Sequence, residues 1–347
     1  MTILYISEPG GMLRRDGFSL IVTVDLPPEK SGSTTKRRVR LANVEPHLIE
    51  TVFLVGHCSA TTDAVCLCLE KGISLAWMDH GGRLLGRLVP PLGRSAESRI
   101  GQYRLAMDMQ ARMTHARVLI RAKLNNAVET LRQLQSNRSG RPELAVGMTE
   151  IRHDMEAIDS TVDAAALMGV EGAATRAYFA AFGSCFSGAI TFTGRARRPP
   201  PDPANALLSF GYVLLTNLLT GCLEGLGLDS AIGFLHELRP GRPSLALDVV
   251  EEMRHPLVDR FVLRLCNLGV MKPNAFEADE DRPGGVRLIR DGLKRFLAEW
   301  EEWLDRPIPE RDSTQPIAPR ALIRRQAERI SVDLRGGEPY QPFLFRG

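Results

Sequence analysis

The feature that most constrains this chain is a change of hydrophobic pattern near residue 90. Before this point, short runs rich in Val, Ile, Leu and aromatic residues alternate with turn signals, which is typical of β-strands. After it, apolar residues recur at spacings of three and four over long segments, which is typical of amphipathic helices. Pro90 and Pro91 separate the two regions. The sequence therefore predicts an α+β protein, in which a small β-sheet or β-sandwich domain over residues 1–91 precedes a larger all-α domain over residues 92–305.

The same patterns predict the individual elements. In the first domain we expect one helix and several strands, namely a helix at 61–71 and strands at 3–6, 18–24, 37–42, 51–56 and 73–78. In the second we expect only helices, at 95–136, 143–160, 161–182, 204–227, 230–238, 244–268 and 286–304. Residues 306–347 begin with a proline-rich stretch and are expected to form a partly ordered tail with one short helix around 318–330.

The charge of the chain is nearly balanced, with a formal net charge of +3, so its distribution is more informative than its total. Arg195, Arg197 and Arg198 stand directly before three consecutive prolines, a stretch that cannot be regular helix. We therefore expect a loop whose guanidinium groups contact phosphates.

Nothing in the sequence predicts a membrane protein. The N-terminus lacks the basic region and cleavage site of a signal peptide. The longest apolar run, at residues 206–228, is broken by polar residues and glycines, so it predicts a buried helix and not a membrane span. We expect a cytoplasmic protein.

Residues 236–254 combine a histidine, two carboxylates and an arginine. Prolines and a glycine force a turn after His236, and Ser244 is then placed to cap a new helix. Asp248 and Glu251 are three residues apart on that helix, so their carboxylates share one face, and Arg254 lies on the same face. The pattern predicts that His236 returns over the turn to face the acidic pair.

Two interpretations of this segment remain open. Two carboxylates among apolar residues repel each other, and a divalent cation such as Mg²⁺ or Mn²⁺ would neutralise them, with the histidine favouring Mn²⁺. Alternatively, the acidic pair is an exposed helix start that favours the helix dipole, and His236 is a hydrogen-bonded core residue. Glu171 is a further candidate ligand, because the small residues around it allow close approach of another group.

Four motifs occur in order and together resemble a known family. They are Glu171-Gly-Ala-Ala with Tyr178-Phe179, Arg198-Pro-Pro-Pro-Asp-Pro-Ala-Asn-Ala-Leu-Leu-Ser-Phe-Gly-Tyr212, Gly233-Phe-Leu-His236, and Ser244-Leu-Ala-Leu-Asp248-Val-Val-Glu251-Glu252. The chain thus resembles the CRISPR-associated spacer-acquisition integrase and endonuclease family, the larger of the two universal CRISPR adaptation proteins. The resemblance covers the helical region and extends into the β-rich one.

The resemblance implies a site. It assigns Glu171 and His236 as metal ligands and adds the acidic pair Asp248 and Glu251, of which Glu251 is expected to touch the metal and Asp248 to be a ligand, a neighbour of the ligands or a base. Many relatives carry aspartate where this chain has Glu251. Arg254 matches a basic position and would stabilise phosphate charge.

The resemblance also implies a function. A Mg²⁺- or Mn²⁺-dependent DNA integrase and endonuclease would join 3′-hydroxyl ends of spacer DNA to the CRISPR repeat by transesterification, and would also cleave or resolve branched DNA. The DNA contacts are expected from Arg195, Arg197, Arg198 and Arg242. The partners implied are double-stranded DNA, a second copy of the chain bound through the β domain, and the smaller adaptation protein in a heterohexamer.

Two other functions stay open at this point. One is a stand-alone metal-dependent nuclease that acts on branched DNA in repair. The other is a DNA-binding scaffold without catalysis, in which the acidic cluster is only structural. An integrase of a mobile element is less favoured, because the tail shows no helix-turn-helix domain.

Overall fold

The computed structural model describes residues 2–26, 37–79, 83–88, 96–137, 140–196, 199–237 and 239–347. The chain divides into two compact units, Met1–Leu92 and Gly93–Gly347. The first consists mainly of strands and the second mainly of helices, so the predicted α+β fold class is confirmed.

The described residues of the N-terminal unit form two four-stranded sheets and a helix. Its elements are β1 (Thr2–Ile6), β2 (Met12–Asp16), β3 (Ser19–Leu26), β4 (Arg37–Val44), β5 (Ile49–Val55), β6 (Ser59–Ala60), α1 (Thr62–Glu70), β7 (Ser74–Met78) and β8 (Leu84–Leu88). The strand orders are β1-β5-β7-β8 and β4-β3-β2-β6. Strand β5 pairs in parallel with both β1 and β7 and is almost continuously buried, as central parallel strands are.

One hydrophobic core joins these elements. It includes Leu13 of β2, Leu54 of β5 and Leu67 of α1, all essentially inaccessible to solvent. The Thr61 hydroxyl caps α1 by accepting a hydrogen bond from the Ala64 amide. The sequence did not predict β2, β6 and β8, because β2 and β8 carry charged residues or glycine and β6 spans two residues.

The C-terminal unit is built from helices, with one small hairpin. Its elements are α2 (Ala96–Met107), α3 (Met109–Ser136), α4 (Pro142–Glu156), α5 (Ala164–Gly183), α6 (Pro203–Gly225), α7 (Ser244–Val250), a π-helical turn (Arg254–Asp259), α8 (Arg260–Asn267), β9 (Phe276–Ala278), β10 (Val286–Leu288), α9 (Arg290–Leu304) and α10 (Pro319–Leu334).

Besides the helix predicted at 244–268, which is interrupted, three predicted helices differ from the observed ones. The helix expected at 95–136 is two helices, because the Asp108 carboxylate accepts hydrogen bonds from the Gln110 and Ala111 amides and so starts α3 anew. The segment 286–304 begins as strand β10 before it becomes α9. Among the described residues of 230–238, no helix forms, because the amides of residues 234–236 donate to the Asp248 carboxylate.

Helix α6 is the core helix of this unit. It is the one helix in the described ranges that is long and apolar enough to cross a membrane, but 72% of its most apolar window is buried inside the protein. Burial of this kind is expected when an apolar helix packs against neighbours from the same chain.

The C-terminal segment 306–347 belongs to the helical unit, which corrects the expectation of a partly ordered tail. Phe343 and Phe345 are fully buried, and Arg325 of α10 forms a two-pronged ion pair with Glu310 at 2.8 and 2.6 Å. The proline-rich start of the segment suggested partial order. The order comes instead from the two buried aromatic rings, which lie in the last five residues.

We predict that Phe345→Ala destabilises the helical unit by about 3–5 kcal/mol, because it removes a fully buried ring. Leu268→Ala, which truncates a mostly exposed side chain of the same unit, should change the free energy of unfolding by less than about 0.5 kcal/mol. Guanidinium unfolding followed by the fluorescence of Trp300 and Trp303 measures both. Equal stabilities for the two variants would show that the C-terminal segment is loosely held.

Candidate active site

Residues 244–267 form an interrupted helix, where the sequence predicts a continuous one. Helix α7 ends at Val250, and a turn leads into the π-helical stretch before α8 begins. Pro256 lies inside that stretch; it has no N–H group, and its ring disfavours the helical conformation of His255. A widened π-type turn accommodates such a break. The sequence also predicts Ser244 as the cap of this helix. Ser244 is instead the first residue of α7, and its hydroxyl donates to the Glu237 carbonyl at 3.1 Å.

Asp248 is fully buried and organises the chain around His236. Its Oδ2 accepts hydrogen bonds from the amides of Phe234 (2.5 Å) and Leu235 (3.0 Å). Its Oδ1 accepts from the His236 amide (3.0 Å) and lies 2.6 Å from His236 Nδ1. A Cβ atom on Gly233 would stand 2.5 Å from Asp248 Oδ2, so only glycine permits this approach. Because the carboxylate draws these amides to itself, they cannot form the helix predicted at 230–238.

This arrangement favours one of the roles that the sequence left open for Asp248, that of a neighbour of the ligands. A carboxylate has about four acceptor positions, and four donors occupy them here. Asp248 instead positions His236: a proton on Nδ1 bonded to the carboxylate leaves Nε2 as the nitrogen that can bind a cation or a substrate.

Glu171 and Glu251 meet at a lysine that the sequence analysis did not single out. Lys123, in the middle of α3, has a side chain that is only 2% exposed. Its ammonium contacts Glu171 Oε1 and lies 2.7 Å from Glu251 Oε2. Thr175, one turn after Glu171 on α5, donates to the same Glu171 oxygen at 2.9 Å. The structure thus brings together two of the predicted carboxylates around a buried cation.

The charges around these carboxylates determine their protonation. Burial would raise the pKa of Glu171, but the adjacent Lys123 ammonium lowers it below its ordinary value. Burial would likewise raise the pKa of Glu251, but Arg254 and Lys123, with a smaller effect from His236, hold that pKa well below its ordinary value. Both groups are therefore carboxylates at neutral pH, and His236 lies close enough to act on Glu251.

Arg254 completes this cluster, although the continuous helix that was expected to carry it is interrupted. Its Nη1 donates to Glu251 Oε1 at 2.7 Å, and its guanidinium lies 4.6 Å from the centre of the Tyr212 ring. Its Nε is buried and has no hydrogen-bond partner in the described part of the chain. Tyr212 is held in turn by Asp259, to which its hydroxyl donates, and His255 Nδ1 lies 2.7 Å from the other Asp259 oxygen.

The arginines predicted to contact DNA fall into different environments. The Arg195 guanidinium bonds to Asn205 Oδ1 (2.8 Å) and Ser209 Oγ (3.0 Å) of α6, so it ties its loop to the helix and does not project freely. Asn205 also donates to the Gly194 carbonyl at 2.9 Å and so orders the loop. Arg242 is half-buried in the turn before α7. Arg197 and Arg198 lie outside the described residues.

The C-terminal segment supports the site from beneath. Asn126, one turn after Lys123 on α3, donates to the carbonyls of Glu252 (2.6 Å) and Phe343 (2.8 Å). The buried Glu252 carboxyl accepts from the Tyr340 hydroxyl (2.9 Å) and the Phe343 amide (3.2 Å). The last residues therefore clamp the helix that carries Lys123 to the segment that carries Glu251.

Sequence reasoning missed Lys123, although a signal exists. Leu119 and Ala127 lie one turn before and one turn after it, so Lys123 interrupts the apolar face of a long helix. A charged residue at such a position is buried only when it is paired. No comparable signal exists for the partners of Glu252, because they lie about 75–90 residues away in sequence.

The candidate metal ligands are of types that bind a divalent cation, but the Lys123 ammonium contacts both carboxylates. In the ranges that the structure describes, no three His, Cys, Asp or Glu side chains converge as a ready metal site, since the Lys123 ammonium lies between the carboxylates and Asp248 faces the His236 loop. Glu251 Oε2 is nevertheless a buried acceptor without a hydrogen bond, because its contact with Lys123 is an ion pair outside hydrogen-bond geometry. Two carboxylates and an oriented imidazole are ligands that Mn²⁺ and Mg²⁺ accept.

Comparison with known proteins identifies the family. Residues 4–302 match the family described as CRISPR associated protein Cas1. The chain is 30% identical to the CRISPR-associated endonuclease Cas1 1 of Chlorobaculum tepidum over 357 aligned positions, which cover 100% of this chain and 99% of that protein. The chain belongs to the Cas1 family, as the four motifs indicated.

Solved structures share its fold. A casposase bound to its integration product superposes with a TM-score of 0.82 at 21% identity, covering 99% of this chain and 93% of that one. A chain of a Cas6-RT-Cas1–Cas2 complex superposes with a TM-score of 0.75 at 22% identity, covering 96% of this chain and 35% of that one.

Glu252 makes the stability of the protein depend on pH. Burial raises the pKa of this carboxyl from an ordinary 4.5 to about 8, although Tyr340 and Gln326 donate to it. A carboxyl with a raised pKa binds its proton more tightly in the folded chain. Its contribution to stability therefore falls as the pH rises from about 4.5 and stops falling above about 8.

We predict that Glu252→Gln becomes progressively more stable than the unsubstituted chain over this range, by up to about 1.4 kcal/mol per pH unit. Guanidinium unfolding in the presence of EDTA at pH 5, 6.5 and 8.5 measures the difference. The exposed Glu150→Gln of α4 is the control, and its difference should not change with pH. A constant difference for Glu252→Gln would mean that the buried carboxyl is ionised throughout.

Proposed function

We propose that this chain is a DNA endonuclease and integrase of CRISPR adaptation, and that its chemistry depends on Mg²⁺ or Mn²⁺. The observation that carries the proposal is the meeting of the Glu171 and Glu251 carboxylates at Lys123, with Glu251 within electrostatic reach of the His236 imidazole that a fully buried Asp248 orients. Membership of the Cas1 family, the endonuclease name of its relative and the integration product bound by the casposase support the same conclusion.

In this proposal Glu171, Glu251 and the Nε2 atom of His236 hold the cation. When bound, it polarises a phosphodiester and favours deprotonation of an attacking DNA 3′-hydroxyl. Asp248 accepts the Nδ1 proton of His236 and so leaves Nε2 as the nitrogen that would face the cation. Arg254 has a buried Nε–H without a partner in the described chain, and this donor suits an oxygen of the reacting phosphate.

The reaction exchanges one phosphodiester bond for another. The 3′-oxygen of the spacer end forms a bond to the repeat phosphorus while the bond to the leaving 3′-oxygen breaks. The proton lost by the attacking hydroxyl is balanced by the one gained by the leaving hydroxyl, so no energy cofactor is consumed. With water as the attacking group, the same site cleaves DNA, and the reverse exchange resolves a branched junction.

Partners follow from the proposed substrate and from the relatives. We expect double-stranded DNA to contact Arg197, Arg198 and Arg242, with affinity that falls as salt rises. Arg195 has fewer donors to offer, because Asn205 and Ser209 use part of its guanidinium. The Cas2 component named in a complex of similar fold supports pairing with the smaller adaptation protein, and we expect a homodimer within a heterohexamer that acts in the cytoplasm.

We predict that Glu171→Ala and His236→Ala each lower DNA strand transfer by at least about 10²–10³-fold, as expected when a group that stabilises the transition state is lost. The assay joins a labelled duplex with free 3′-hydroxyl ends to a repeat half-site in Mn²⁺ or Mg²⁺, with Cas2 present. Glu237→Ala, which removes an exposed carboxylate next to His236, is the matched control and should retain activity.

Circular dichroism and DNA binding separate loss of chemistry from loss of folding. Folded, DNA-binding variants that no longer join DNA support the proposal. Cutting of branched DNA without joining would favour a stand-alone nuclease. Binding by the unsubstituted chain with no joining or cutting in either metal would instead indicate a scaffold.

A further inference from the structure

The site carries its own cations. Two carboxylates, Glu171 and Glu251, face two basic groups, Lys123 and Arg254, and these four side chains balance one another in charge. All four are mostly or wholly shielded from solvent, with side-chain exposures between 2% and 20%. Without a metal, these four side chains therefore carry no net charge.

A divalent cation that entered this neutral site would leave two uncompensated positive charges away from water, which is costly. It would also find its ligands engaged. Arg254 holds Glu251 Oε1, and the Lys123 ammonium lies beside both Glu251 Oε2 and Glu171 Oε1. The carboxylates become available only when one of these basic groups withdraws.

Lys123 is the group suited to withdraw. The Arg254 guanidinium is fixed against the Tyr212 ring as well as by Glu251, whereas no contact of the Lys123 ammonium beyond the two carboxylates is found among the described residues. An ammonium on a four-carbon stem can swing through several rotamers from a fixed backbone. A DNA phosphate would supply the negative charge that such a displaced ammonium needs.

We propose that Lys123 is a resident cation that takes the place of the metal in the free protein and moves to a DNA phosphate when the metal binds. This inference rests on the proposed function. Metal and DNA then bind cooperatively: DNA draws the ammonium away and frees the carboxylates, and the metal in turn frees the ammonium for DNA. By linkage, each ligand raises the affinity for the other by the same factor.

The test compares Lys123→Met, which removes the cation, with Lys123→Arg, which keeps it. Electron paramagnetic resonance measures free Mn²⁺ during titration of the full-length chain without DNA. We expect Lys123→Met to bind Mn²⁺ at least about tenfold more tightly than the unsubstituted chain, a difference of about 1.4 kcal/mol. Lys123→Arg and the exposed control Lys272→Met should bind as weakly as the unsubstituted chain.

Two further measurements use the same variants. In EDTA, Lys123→Met should have a lower Tm than the unsubstituted chain, because its carboxylates repel, and Mn²⁺ should restore it. Fluorescence anisotropy of a labelled duplex should show that Mn²⁺ raises the DNA affinity of the unsubstituted chain more than that of Lys123→Met.

The outcomes separate this inference from the proposed function. Mn²⁺ binding of equal strength in the unsubstituted chain and Lys123→Met would overturn the role of Lys123 and leave the metal site intact. Failure of Lys123→Met to fold with or without Mn²⁺ would also overturn it, because the metal could then not replace the ammonium. Absence of Mn²⁺ binding in every variant, with and without DNA, would contradict the metal site itself.

Discussion

The helical unit depends on the neutralisation of buried carboxylates that lie within twelve residues of one another. They are Asp248, Glu251, Glu252 and Asp259, none of them more than 4% exposed. An isolated buried charge costs more than a domain's net stability, so each group needs its own compensation, which for Glu252, with its pKa raised to about 8, includes a bound proton at neutral pH. Each receives it from a different part of the chain, and for this reason elements distant in sequence converge on one irregular segment.

The partners of the four carboxylates define what surrounds the site. Asp248 draws in the loop that carries His236, and Glu251 draws in Lys123 from the middle of α3. Glu252 draws in the C-terminal segment, and Asp259 fixes Tyr212, against which Arg254 rests. A single interrupted helix thus fixes the imidazole, both cations and the supporting segment together. Any substitution that unbalances one carboxylate is expected to disturb the geometry around the others.

The sequence indicated candidate residues of the site but not the contacts between them. Glu171, His236, Glu251 and Arg254 were identified because their residue types and spacing carry chemistry and match a family. Their connections were not predictable, because periodicity describes a regular helix and Pro256 breaks it. The contacts of Asp248 were not predictable either, because spacing reveals which face a carboxylate shares but not which amides donate to it. The groups that complete the site are the Lys123 ammonium of α3 and neutral donors of the C-terminal segment, and local patterns cannot report contacts between segments so distant in sequence.

The central claim is that Glu171, Glu251 and His236 together hold a metal whose place Lys123 occupies in the free protein. Anomalous diffraction at the manganese edge, from crystals of the chain grown with Mn²⁺ and a DNA duplex, tests it most directly. We predict one peak about 2.1–2.2 Å from an oxygen of each glutamate and from His236 Nε2, with the Lys123 ammonium withdrawn from Glu251 towards a phosphate. A site without a peak, or a peak elsewhere with Lys123 still between the two glutamates, would contradict the claim.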